Sequence, residues 1–172
     1  MKSVMLIDGN SLLYRAHFAL AEADMRTSGG QPTGAIYGFL TMLINLIRDH
    51  NPEGIAVAFD LPTPTFRHKK VDTYKAGRAE TPDELLQQFD IVKETLEVLG
   101  IQSIAIPGYE ADDILATYAA KAKKENISSI IVTGDRDSYQ LVSDPFVKVL
   151  YNRRGVSDYV LYDEDGIRER TG

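Results

Sequence analysis

A chain of 172 residues gives one domain as the default, and at 44% hydrophobic it can bury a core and is not a disordered polymer. It has no cysteine, which excludes disulfides and thiolate-held zinc, and His17, His50 and His68 sit too far apart for a zinc motif. The formal charge of −6 argues against a general polyanion binder.

In chain order, the first apolar run, residues 4–7, is too short for a secretory core and ends on Asp8. No run approaches the roughly 20 residues of a membrane span, so the expectation is a soluble, cytoplasmic monomer with no membrane partner. Runs 4–7, 55–59, 101–106 and 129–132 are short, β-branched and apolar on both faces, as buried parallel strands are. Amphipathic stretches over about 11–24, 34–50, 82–99 and 110–125 predict helices between and around them. Thr81 offers an N-cap, Pro82 a first-turn proline, Asp83 and Glu84 acids near the positive helix end, and Gly100 a stop. The stripe Ile36, Phe39, Leu40, Leu43 and Ile47 predicts a core face. Two further strands are expected over 146–151 and 158–162, with Gly155 between them. The alternation implies right-handed crossovers and an α/β fold: a mostly parallel sheet with helices on both faces.

Two stretches fit neither period. Residues 28–34 (Ser-Gly-Gly-Gln-Pro-Thr-Gly) precede a helix; they either present backbone N–H groups to phosphate or form an ordinary turn, and the turn is the simpler reading. Residues 61–80 are long for an ordered loop in a compact domain, a length usually reserved for function or flexibility.

The acids fall where open parallel sheets bind ligands, beyond the carboxyl ends of the strands. Asp8 follows the first strand and Asp60 the second. Glu110, Asp112 and Asp113 follow the third, and Asp135 and Asp137 the fourth. A lone aspartate there is usually a turn residue or a cap, and acids in a first helical turn are usually dipole partners. Recurrence after four successive strands favours a metal site instead. Crowded carboxylates need counter-charge, and hard oxygen-seeking dications such as Mg²⁺ or Mn²⁺ supply it. Two such ions about 4 Å apart clamp a phosphodiester during hydrolysis. On a helix, Glu110 and Asp113 would share a face, with Asp112 one step around.

One basic segment breaks the acidic background. Arg67, His68, Lys69, Lys70, Tyr74, Lys75 and Arg78 begin just past Asp60. A solvated charged loop is the common fate of such a run. Beside an acid rim, Tyr74 suits base stacking, and Lys75 and Arg78 suit phosphate. Arg15, two turns into the first helix, either reaches the same rim or is a surface arginine.

The motifs Leu6-Ile7-Asp8-Gly9-Asn10-Ser11, Tyr37-Gly38-Phe39, Phe59-Asp60, Phe66-Arg67-His68, Tyr74-Lys75-Ala76-Gly77-Arg78, Gly108-Tyr109-Glu110-Ala111-Asp112-Asp113, and Thr133-Gly134-Asp135-Arg136-Asp137 followed by Gln140-Leu141 span the chain. With them the sequence resembles the 5′-nuclease domains of the flap-endonuclease group, the type found at the N-terminus of bacterial DNA polymerase I. That resemblance implies a PIN-like, Rossmann-like fold and a metal-dependent 5′-nuclease acting on DNA. The implied substrates are 5′ flaps and nicked or 5′-ended duplexes, with RNA primer–DNA hybrids removed in replication and repair. It further implies metal ligation by Asp8, Asp60, Glu110, Asp112, Asp113, Asp135 and Asp137, directly or through water. Arg15, Arg67, Lys75 and Arg78 would contact phosphate, with Lys75 and Arg78 catalytic. Residues 61–80 would be the arch that admits a 5′ end. Family members carry two more metal-binding aspartates and a helix-three-turn-helix element beyond the stretch ending at Gly172. The second metal site and the duplex grip are therefore expected to be incomplete and the activity weaker. The rival readings are a PIN-type ribonuclease and a non-catalytic DNA-end-binding fragment.

Overall fold

The computed structural model describes residues 2–67 and 80–172. In order, they form β1 (Ser3–Asp8), α1 (Gly9–Ala19), α2 (Gly34–His50), β2 (Gly54–Ala58), α3 (Asp83–Val98), β3 (Gln102–Ile104), α4 (Ala111–Lys124), β4 (Ser128–Thr133), β5 (Val147–Arg154), β6 (Asp158–Tyr162) and α5 (Glu164–Thr171). Two short 3-10 turns, Ala21–Ala23 and Arg136–Leu141, complete the path.

The six strands form one sheet in the order β3-β2-β1-β4-β5-β6. All neighbours are parallel except β5 and β6, which pair antiparallel around Gly155, itself in the left-handed region at φ 59°. The chain leaves β1 toward β2 and β3 on one side and continues with β4 and β5 on the other. The order therefore reverses between β1 and β4, the position where α/β sheets open a crevice at their carboxyl ends.

Each face of the sheet carries its own apolar layer. On one, Met5, Ile7, Val57 and Phe59 pack with Leu12 and Leu13 of α1, Phe39, Met42 and Leu43 of α2, and Leu85, Val92 and Leu96 of α3. On the other, Leu6, Ala58, Ile131 and Val149 pack with Ala111, Ile114, Leu115 and Ala119 of α4, and with Tyr151 and Tyr162. Val4 to Ile7 are apolar on both faces because both faces are covered. Each large side chain so buried contributes about 1.5–3 kcal/mol. No helix among the described residues is long and apolar enough to cross a membrane.

The α/β reading holds, with element ends revised by capping chemistry. The first helix starts at Gly9, not 11, because the Asp8 side chain accepts from the Ser11 N–H. It stops at Ala19 rather than 24. Helix α3 starts at Asp83, with Pro82 as its N-cap; the Thr81 hydroxyl, expected to cap, meets the Tyr14 phenol instead. The buried face of α2 centres on Ala35, Phe39, Met42, Leu43 and Leu46, so Ile47 sits at its margin, 36% exposed.

Helices α1 and α2 cross closely at Gly38. A Cβ there would lie 2.7 Å from Ala16 Cβ and 3.3 Å from Ala16 Cα, neither of which can swing aside. Gly→Ala inside a helix ordinarily gains about 1 kcal/mol in propensity. Overpacking ordinarily costs about 1–3 kcal/mol. Gly38→Ala is expected to be net destabilising by about 1–2 kcal/mol in urea unfolding; a gain in stability would show that the two helices part freely.

Candidate active site

A cleft of about 1450 Å³ opens over the carboxyl ends of β1, β2 and β4. Small-molecule pockets run to about 300–1,000 Å³, so this volume suits a polymer. Asp8, Asp60, Glu110, Asp112 and Asp135 line it, from three strand ends and the start of α4. Arg15 lines it too.

Asp8 is the last residue of β1 and the cap of α1, so one carboxylate ends a strand, starts a helix and faces the cleft. Its Oδ1 accepts from Ser11 N at 2.9 Å and its Oδ2 from the Thr133 hydroxyl at 3.0 Å. Burial removes it from water, and the Asp112 and Asp60 carboxylates repel its charge. Together these outweigh the two hydrogen bonds and push its pKa from 3.8 to about 7. Asp60 accepts from the Ala111 N–H at 2.6 Å, while its own N–H donates to Asn10 Oδ1 at 2.9 Å. The loop after β2 is thus fastened to the starts of both α1 and α4. Asp135 turns its Oδ1 to the Asp137 N–H at 2.9 Å, and its own N–H donates to Thr133 Oγ1 at 3.1 Å. The Gly134 N–H donates to Ser11 Oγ at 2.8 Å.

Two expected acids lie elsewhere. Asp113 is absent from the cleft lining and holds Arg67 in a two-pronged pair, at 2.7 Å and 2.8 Å. Asp137 sits exposed in the first turn of the Arg136–Leu141 segment, also outside the lining. Glu110 does line the cleft, but as the N-cap of α4 and not a residue on its face. It is linked to Asp113 by a reciprocal capping box and lies 3.3 Å from the Arg67 guanidinium. Arg67, expected on phosphate, is thus committed to carboxylates and stacks over Phe66 at 4.6 Å. Lys69, Lys70, Tyr74, Lys75 and Arg78 lie outside the described residues.

Sequence reasoning missed the supports. Thr133, Ser11 and Asn10 bind the acids in place, and all three stand close to a motif aspartate in the chain. Arg136, Lys93 and the apolar wall of Tyr14, Phe18, Leu86 and Phe89 also line the cleft. Lys93 lies 3.9 Å from Asp90 and over the Phe59 ring.

The donor set fits a hard dication: every acidic group is oxygen-based, and no histidine lines the cleft among the described residues. Among those residues, no three acids close around a single point as a cage would. Mg²⁺ seldom uses such cages; it keeps several waters and takes one or two carboxylates with substrate phosphate. The raised Asp8 pKa gives a consequence in solution. The folded chain holds a proton on Asp8 that the unfolded chain gives up, so this contribution to stability is complete below about pH 4 and lost as pH rises through about 7. In chelator, stability should fall across that window by an amount of the order of a few kcal/mol. Asp8→Asn should flatten the fall and raise the neutral-pH Tm. A pH profile identical in the two proteins would mean Asp8 is not desolvated.

Residues 3–172 match the family described as 5′-3′ exonuclease, N-terminal resolvase-like domain. DNA polymerase I of Mycobacterium tuberculosis is 49% identical over 170 residues, 99% of this chain and 19% of that protein. The thermostable DNA polymerase I of Thermus thermophilus is 41% identical over 165 residues, 96% of this chain and 20% of that protein. The chain spans about a fifth of the length of these relatives. Among solved structures, the T5 D15 protein co-crystallised with metal ions aligns at TM-score 0.72 and 20% identity, covering 98% of this chain and 60% of that one. The catalytic core of Rad2 in complex with DNA substrate aligns at TM-score 0.54 and 22% identity, covering 98% of this chain and 50% of that one. At these identities the likeness is one of fold alone, the PIN-like fold. By sequence and fold together, the chain belongs to the 5′-3′ exonuclease N-terminal resolvase-like family.

Proposed function

We propose that this chain is a divalent-metal-dependent 5′-nuclease that hydrolyses phosphodiester bonds at DNA 5′ ends and flaps. The substrates on this reading are flapped, nicked or 5′-ended duplexes, including RNA primers on DNA. The observation that carries it is the arrival of five acids from three strand ends and the start of α4 in one polymer-sized cleft. Membership in the 5′-3′ exonuclease family supports the direction of attack.

Asp8, Asp60, Glu110, Asp112 and Asp135 would hold Mg²⁺ or Mn²⁺. Bound there, the ions supply Lewis-acid charge and lower the pKa of water. The chain's own part is to hold the oxygens ready. The Ser11 N–H and Thr133 hydroxyl fix Asp8, and the Ala111 N–H fixes Asp60, so neither carboxylate needs to search for its position. The fixed carboxylates also keep an unneutralised phosphate out, so phosphate enters only with cations. Asp113 and Asp137 act behind the cleft residues: Asp113 ties Arg67 to the start of α4, and Asp137 lends its N–H to Asp135. Lys75 and Arg78 take the catalytic phosphate-facing roles in this reading, with Lys69, Lys70 and Tyr74 along the DNA.

A labelled 5′-flap duplex incubated with the chain should be cut in Mg²⁺ and in Mn²⁺ and not in chelator. Asp112→Asn and Asp135→Asn should each slow cutting by about 100-fold or more, the several kcal/mol that a charge-stabilising ion supplies. Retained DNA binding without cutting in any metal would favour an end-binding module. Faster cutting of single-stranded RNA than of the flap would favour a ribonuclease.

A further inference from the structure

Five acids line the cleft, and the side chain that ties two of them together lies behind it. Thr133 ends β4 fully buried and outside the cleft lining. Its hydroxyl accepts from the Asp135 N–H at 3.1 Å and donates to Asp8 Oδ2 at 3.0 Å. A hydroxyl has one proton and an N–H can only donate, so the Thr133 proton goes to Asp8. The pairing of β1 with β4 puts it there. Ile7 stands opposite Val132, so the next residues, Asp8 and Thr133, leave the sheet side by side.

Ser11 laces the same two strand ends together. Its N–H donates to Asp8 Oδ1 at 2.9 Å, and its Oγ accepts from the Gly134 N–H at 2.8 Å. A Cβ at Gly134 would lie 3.0 Å from that Oγ, so a glycine keeps the lacing short. Asp8 is thereby held at both oxygens, by donors from α1 and from β4. Asp60 and Asp135 are held at Oδ1, by the Ala111 and Asp137 N–H groups. Turning the Asp8 carboxylate about its Cβ–Cγ bond breaks both of its bonds, so its plane is fixed before an ion arrives. Hard dications differ in what they ask of such a group. Mg²⁺ demands near-ideal octahedral geometry at about 2.0–2.1 Å and takes one or two carboxylates. Ca²⁺ gathers about six to eight oxygens at about 2.3–2.6 Å, in flexible geometry that uses a carboxylate on one oxygen or both.

We propose that Thr133 is a positioning residue that sets the cation preference of the cleft. By fixing the plane of the Asp8 carboxylate and the backbone at Asp135, its hydroxyl favours Mg²⁺ over Ca²⁺. This rests on the metal-binding part of the nuclease reading above and deepens it. Thr133 itself touches no ion, because it is buried behind the acids it holds.

The test is the cation affinity of the whole chain, read as displacement of Mn²⁺ by Mg²⁺ and by Ca²⁺ in electron paramagnetic resonance, at a pH above the pKa of Asp8. Thr133→Val removes the hydroxyl at nearly constant volume. It should weaken Mg²⁺ binding by about tenfold or more, as loss of a ligand's outer partner does, while Ca²⁺ binding falls less. Thr133→Ser keeps the hydroxyl and should keep the wild-type ratio of Mg²⁺ to Ca²⁺ affinity. Circular dichroism melts in chelator accompany each variant. A merely structural threonine would lower the melt of Thr133→Val and leave the ratio where it was, which overturns the proposal and leaves the nuclease reading intact. A crystal structure of the wild-type chain soaked in Mn²⁺ decides the matter even if Thr133→Val does not fold: the bond from Thr133 to Asp8 is expected intact, and a broken bond overturns the proposal. A wild-type chain that binds neither Mg²⁺ nor Mn²⁺ overturns both readings.

Discussion

The burial of a carboxylate beside other carboxylates is the constraint around which this structure is arranged. Asp8 is buried, and Asp112 and Asp60 lie near enough for it to feel their charge. Like charges held in a place poorly reached by water raise the free energy of the fold, because neither solvation nor distance relieves them. The chain answers with fixed dipoles: the Ser11 N–H, the Thr133 hydroxyl and the Ala111 N–H are aimed at the acids. These donors lower the cost without removing it, as the raised Asp8 pKa records. The remaining imbalance is what a divalent cation would relieve, so the tension of the ligand-free chain and its proposed affinity for metal have one source.

The fold supplies this arrangement economically. Parallel strands end on the same side of a sheet, and every crossover helix begins there. A residue at the junction therefore serves as strand end, helix cap and cleft lining together. Asp8 does so for α1, and Glu110 caps α4 at the same rim. Asp60 joins the pattern by capturing the first N–H of α4. A change at one of these acids consequently reaches backbone positions, and stability and function are not separable there.

Guanidinium groups divide into two kinds. Arg67 is consumed by Asp113 and Glu110, where its planar fork matches a carboxylate and secures the chain before residue 68 to the start of α4. The stacking of Phe66 on Tyr109 at 5.9 Å and the bond from Phe66 N–H to the Gly108 carbonyl strengthen the same fastening. Arg15 instead donates to the Asn152 carbonyl, a neutral acceptor that leaves its charge unspent. The residue type is identical in both, and the neighbouring acceptor decides whether the charge is spent.

The sequence alone determined the α/β class, all six strands, the four main helices and the strand-end placement of the acids. These rest on local signals: β-branched runs, helical periodicity, and aspartates directly after apolar stretches. Family membership was legible for the same reason, since motifs such as Gly-Tyr-Glu-Ala-Asp-Asp are contiguous. What only the tertiary structure decided are facts of long-range pairing. That Asp113 turns to Arg67 is a contact across 46 positions, and that Asp8 meets the Thr133 hydroxyl one across 125. The bond from Arg15 to the Asn152 carbonyl likewise spans 137 positions. Element ends shifted where a capping side chain was claimed by a distant partner, as Thr81 was by Tyr14. Periodicity places an acid at the end of a strand. Which neighbour neutralises it depends on which other strands lie alongside, and that is set by burying both faces of the sheet at once.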